Sequence, residues 1–154
     1  MARFELLLTT PLAPHLAWAA LWDLRAHDRL IPLTRLRGDA LDAPGAVAAA
    51  LHPGSLFVAR TQLPGAPAIG FDDPMEVVTR RPPGTDGRGA ARLRKLGPVI
   101  RGHIEAEVAP QGPGSAVTWR QEIGVAGVPR GADMLTAAVA RAAYGRVLRR
   151  LLAG

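Results

Sequence analysis

Three side chains in this sequence stand where acid–base chemistry is possible: His27, Asp73 and Tyr144. Asp73 shares strand parity with Phe71 and Met75, so simple alternation sets a carboxylate on an apolar wall. Burial there disfavours the charged form, raises the pKa and suits proton transfer. Pro74 follows at once, and it marks either an edge position or a bulge. A bulge would turn Asp73 towards solvent, and the sequence favours that outcome. His27 comes just after a first helical segment, as a general base or as a solvated helix-end residue. Tyr144 is the chain's single tyrosine. Its ring belongs to the core in either reading, while its hydroxyl needs a partner that a ligand can supply.

Other chemistries find less support. With no cysteine, thiolate metal sites, disulfides and cysteine nucleophiles are excluded. His15, His27, His52 and His103 are scattered without HExxH or i,i+4 spacing, so no metal is expected, and no cofactor motif is present. Ser55 and Ser115 lie beside turn glycines and outside any GxSxG elbow. Gly84, Gly87 and Gly89 lack the spacing and the strand-to-helix context of a phosphate loop. His103 and Glu105 share a strand face, but it is the face opposite the apolar set, where both meet solvent.

The elements that must position these residues follow from period and punctuation. Residues 3–10 read as a strand ended by Pro11. Pro14 opens a helix over His15–Arg25 carrying Trp18 and Trp22 as an i,i+4 pair, and a second short helix spans 26–31. A second strand is expected over 33–41, then a loop over 42–54 closing on Pro53-Gly54. Beyond it the period becomes two, giving strands over Ser55–Leu63, Ile69–Arg80, Arg92–Leu96, Val99–Val108 and Ala116–Val125. Their inward sets include Phe57, Phe71, Met75, Ile104 and Trp119. A helix from about Pro129 to Leu152 carries a stripe of Ala137, Ala140, Tyr144, Val147, Leu148 and Leu151, with Met134 at its edge. The stripe is alanine-rich in its first half, so a sheet packed on it either approaches closely or leaves a cavity.

The 154 residues suit one domain with one core, and 48% hydrophobic residues are ample to fill it. The net charge of +6 is carried by arginine with Lys95 as the only lysine, and asparagine is absent. The bias fits GC-rich coding, so the charge is not read as nucleic-acid binding, although a basic surface favours anionic encounters. The stretch 88–101 holds Arg88, Arg92, Arg94, Lys95 and Arg101 without an acid. It reads as a solvated hairpin, because the aromatic residues that stack on bases are missing. Glu5 abuts the apolar run at 6–22 and Pro11 and Pro14 interrupt it, so it is expected to be folded protein rather than a signal peptide, and the chain to be cytoplasmic.

The order of strand, two short helices, meander and long C-terminal helix resembles the helix-grip α+β fold of the START/Bet v 1-like (SRPBCC) superfamily. The polyketide cyclase/dehydratase-like and coenzyme Q-binding branches look nearest. Motifs that carry the resemblance are Phe4–Thr9, Pro11 or Pro14, Trp18, Asp23 and Pro32 near the start, then Pro53, Gly54, Ser55 and Phe57. Met75–Arg80 before Pro82 and Pro83, and Gly114, Ser115, Val117, Thr118 and Trp119, complete the set.

The resemblance implies a curved antiparallel sheet around the long helix and a hydrophobic ligand cavity between them, with His27 near its mouth. Trp22, Phe57, Phe71, Met75, Trp119, Met134 and Tyr144 are the expected wall. Three functions are consistent with it. The first is binding or transport of a small hydrophobic molecule, such as a lipid, polyketide or isoprenoid-like compound. The second is a cyclase or dehydratase using Asp73, His27 or Tyr144. The third is an interaction protein using the basic hairpin.

Overall fold

Alternating apolar residues and the turn signals between them generate a seven-stranded antiparallel sheet in a computed structural model that describes residues 1–42, 51–63 and 66–153. Its strands are β1 (Ala2–Thr10), β2 (Thr34–Arg37), β3 (Leu56–Leu63), β4 (Ala66–Arg81), β5 (Gly89–Leu96), β6 (Ile100–Gln111) and β7 (Gly114–Val125). They run in the order β1-β7-β6-β5-β4-β3-β2, so β3 to β7 form a meander and the chain's first strand closes one edge.

The helices are α1 (Pro14–Trp22), α2 (Leu24–Leu30), the single turn α3 (Asp39–Asp42) and α4 (Asp133–Leu151), the last entered through a 3-10 turn at Arg130–Ala132. Pro14 lies in the first turn of α1, where its missing N–H has no helical partner to lose. The expected single helix over His15–Arg25 is broken at Asp23. That side chain accepts the Ala26 N–H and so caps α2, which begins earlier than its sequence pattern suggests. Strand β2 is shorter than expected because Gly38 ends it and α3 follows. Positions 43–50 of the expected loop over 42–54 lie outside the described residues.

Arg25 and Asp28 moor α2 to β2. The Arg25 guanidinium donates to the Leu36 carbonyl at 2.9 Å and to Asp28 at 3.0 Å, and Asp28 accepts the Leu36 N–H at 2.6 Å. Helix α4 packs chiefly along β1, with lesser contacts to α1 and α2. Its buried residues, Gly145, Val147 and Leu148, fall in the C-terminal half. The core joins that half to Phe4 and Leu6 of β1, to Ala17, Trp18, Leu21 and Trp22 of α1, and to the inward faces of the strands.

Candidate functional site

Register decides which side chains meet. Across β3 and β4, Phe57 faces Met75, Ala59 faces Asp73 and Thr61 faces Phe71. Across β5 and β6, Leu93 faces Ile104, and across β6 and β7, Ala106 faces Trp119. All of these line a cavity of about 170 Å³, closed on the helical side by Leu21, Trp22, Leu24, His27 and Tyr144. Its wall runs from Leu36 on β2 to Trp119 on β7. Flat strands about 4.8 Å apart would hold those residues roughly 24 Å from each other, so the sheet has to curl around the space.

Trp22, Phe57, Phe71, Met75, Trp119 and Tyr144 therefore come together at one cavity, with His27 and Asp73. Tyr144 lies between two other rings, 5.8 Å from Trp119 and 6.1 Å from Phe4 by centroid. Met134 does not join them and is corrected here: it is 87% exposed, in the first turn of α4. The N-terminal half of that helix follows the β1 edge instead of crossing the sheet. Ala137 accordingly lines a surface groove with Phe4, Leu7 and Met134, and the alanine-rich half of the stripe does not border the cavity.

The bulge expected at Pro74 is also corrected. Pro74 lies opposite Val58 in regular register; pairing with β3 shifts only at Gln62/Leu63, and pairing with β5 between Val77 and Thr79. Pairing with β5 begins only at Met75, so Pro74 sits where that neighbour requires no N–H. Alternation survives through it. Asp72 turns outward to an ion pair with Arg60 at 2.8 Å, and Asp73 turns inward, 5% exposed.

Facing inward beside it is Lys95, 4% exposed, whose ammonium donates to Asp73 Oδ2 and lies 3.7 Å from Met75 Sδ. Sequence reasoning missed this residue by treating 88–101 as one basic block. The signal was its parity: Gly89, Ala91, Leu93 and Lys95 share the inward face of β5. Two exposed members of that block have acidic partners. Arg92 pairs with Glu105, and Arg94 with Glu76. His103 and Glu105 lie on the outward face, as alternation predicts.

Burial lifts the Asp73 carboxyl above the usual carboxylate range, and Lys95 opposes that rise by charge and by hydrogen bond. Burial alone would push the Lys95 ammonium down. Tyr144 and then Asp73 more than reverse it, leaving the amine raised and protonated. A lysine held as ammonium serves as a hydrogen-bond donor and a fixed charge.

Several polar side chains on the wall find partners within the protein. Thr34 and Thr61 share a hydroxyl–hydroxyl bond of 2.9 Å, and Trp119 donates to Gln121 at 3.3 Å. The Leu21 carbonyl can only accept, so His27 Nε2 carries the hydrogen of their 2.9 Å bond and Nδ1 is left as an acceptor. Burial lowers the His27 pKa, opposed by that bond and by Asp23 and Asp28, which favours the neutral ring. Among the described residues, Asp73 is the cavity-lining side chain with a buried polar atom lacking any partner, its Oδ1.

Comparison with solved structures decides the architecture. A START superfamily protein from Mycobacterium smegmatis superposes with a TM-score of 0.67 at 12% identity, covering 99% of this chain and 97% of that one. The chain has the START/Bet v 1-like fold. Ara h 8.0201 matches with a TM-score of 0.61 at 11% identity, over 97% of both chains. DynU16, from the dynemicin biosynthetic locus, matches with 0.58 at 18% identity, over 98% of this chain and 47% of that one. At such identities the helix-grip likeness concerns fold alone. No family profile matches the sequence, and no curated protein matches it. No helix among the described residues is long and apolar enough to cross a membrane.

Proposed function

We propose that this chain is a cytoplasmic binding module for a small hydrophobic molecule. The observation that carries the reading is the cavity of about 170 Å³ walled by Trp22, Phe57, Met75, Ile104 and Trp119. An apolar cavity of about 150 Å³ in another protein stays dry and takes up benzene. That volume supports a compound of one or two rings over a long-chain lipid. The helix-grip fold supports the same reading, since the resemblance to this superfamily implies a hydrophobic ligand cavity between sheet and helix.

Native mass spectrometry of protein purified from its own host tests it. The expected result is a retained organic molecule of one or two rings, whose removal lowers the melting temperature. Protein that carries nothing, and whose melting temperature no one- or two-ring compound raises, overturns the reading.

A second reading, catalysis of cyclase or dehydratase type, draws support from His27, Asp73 and Tyr144 sharing one cavity. It predicts that the retained molecule, returned to stripped protein, is converted with loss of water or ring closure. Unchanged mass and retention time exclude that.

A further inference from the structure

Among the described residues, one side-chain atom of the cavity wall is fully buried without a partner, and its position selects among ligands. Asp73 Oδ2 is taken by Lys95, whereas Oδ1 is buried with no partner among the described residues. The residue opposite Asp73 on β3 is Ala59, whose methyl group offers no donor and leaves room beside the carboxylate. A buried acceptor left unmade carries a desolvation cost that a donor on a ligand would remove.

Charge narrows the class of donor. Lys95 already balances the carboxylate, so a cationic ligand would add a second positive charge close to a buried ammonium. An anionic ligand would meet the Asp73 carboxylate first, because Asp73 lines the space and Lys95 does not. A neutral hydroxyl satisfies Oδ1 without disturbing the pair. The remaining wall is mostly aromatic and aliphatic, and it fits the ring that carries such a hydroxyl.

We infer that the site is selective for neutral ring alcohols and phenols, with Asp73 Oδ1 accepting the ligand hydroxyl and Lys95 holding the carboxylate in place. This rests on the cavity-binding reading above. Lys95 acts here as a positioning residue, and no bond is made or broken.

Phenol and toluene have nearly the same shape, and one of them carries the hydroxyl. In a purely apolar cavity toluene binds better, because phenol sheds its hydration with nothing in return. Against a buried, charge-bearing acceptor the order reverses. Titration calorimetry on the wild-type protein is expected to give phenol at least about tenfold tighter than toluene, with benzoate not bound. Replacing the pair together, Asp73→Leu with Lys95→Met, removes both buried charges and is tolerated in many cores. That double variant is expected to bind toluene at least as tightly as the wild type and to lose the preference for phenol.

Toluene binding as well as or better than phenol in the wild type overturns the inference and leaves the cavity reading standing. So does benzoate binding most tightly. A phenol preference that survives in a folded double variant moves the acceptor elsewhere, to His27 Nδ1 first, and likewise overturns it. If none of the three binds the wild type, the inference fails, and the reading it rests on then stands or falls by the mass spectrum. The wild-type comparison needs no variant and decides the matter even if the double variant does not fold.

Discussion

Two buried titratable side chains border the cavity, and they respond to pH in opposite senses. His27 is held neutral by burial, so its folded pKa lies below the ordinary value of about 6.5. The unfolded chain binds the proton more readily, so this histidine's contribution to stability is present above about 6.5 and lost as pH falls through its folded value. Thermal unfolding followed from pH 7.5 to 5 should show a falling melting temperature. His27→Gln keeps an N–H for the Leu21 carbonyl but cannot titrate, so the slope should flatten. An equal slope in both proteins would assign it to other groups. Asp73 shifts the other way. Its raised carboxyl favours the fold at low pH, and that contribution fades as pH climbs through its folded value.

Strands and helices here differ in how much of them could be read from residue order. The period-two runs of β3, β6 and β7 set Phe57, Ile104 and Trp119 inward, because one face is buried and the other wet. What failed was local. Pro74 suggested a bulge, yet the effect of a proline depends on whether the neighbouring strand has ended, and that is a tertiary fact. Lys95 was grouped with its charged neighbours although alternation placed it inward. A lone buried lysine makes sense only once Asp73, on another strand, is beside it. Met134 followed the helical stripe correctly, but the path of α4 along β1 left nothing for it to pack on. Two glycines separate helix from strand in the same way. Gly145, within α4, leaves space for a methyl group, with Arg149 nitrogen at 3.4 Å and Leu6 Cδ2 at 3.5 Å from it. Gly145→Ala should therefore raise stability by about 0.5–1 kcal/mol. Gly102, within β6, has φ +136, and a Cβ there would lie 2.0 Å from the Glu122 carbonyl oxygen. Gly102→Ala should cost at least about 2 kcal/mol. Urea unfolding of both variants checks the pair, and equal effects would discredit the local geometry.

Over the whole molecule, the two faces of the sheet follow different rules. The inner face is largely apolar, and the ion pair it carries among the described residues, Asp73 with Lys95, is buried. The outer face carries Arg3–Glu122, Arg120 with Glu5 and Glu107, Arg92–Glu105 and Arg94–Glu76, each with its arginine exposed to water. Exposed pairs of this kind contribute little and are screened by salt. Arg94→Gln should lower unfolding free energy by less than about 1 kcal/mol, with a smaller difference in 1 M salt. A loss above 2 kcal/mol, insensitive to salt, would show that the outer face supports the fold in a way its geometry does not suggest. The architecture was legible because order and punctuation recur along the entire chain. The contents of the cavity were not, because volume depends on how seven strands curl, and no single residue encodes that.

The chain's single side-chain amine is sealed in its interior. Every other basic side chain that could have been lysine is arginine, so reagents that acylate ε-amines find nothing to modify while the protein stays closed. Acylation at Lys95, followed by peptide mass, thus becomes a clock for opening of the β4–β5 wall. Anything that fills the cavity and slows that opening should slow the clock with it.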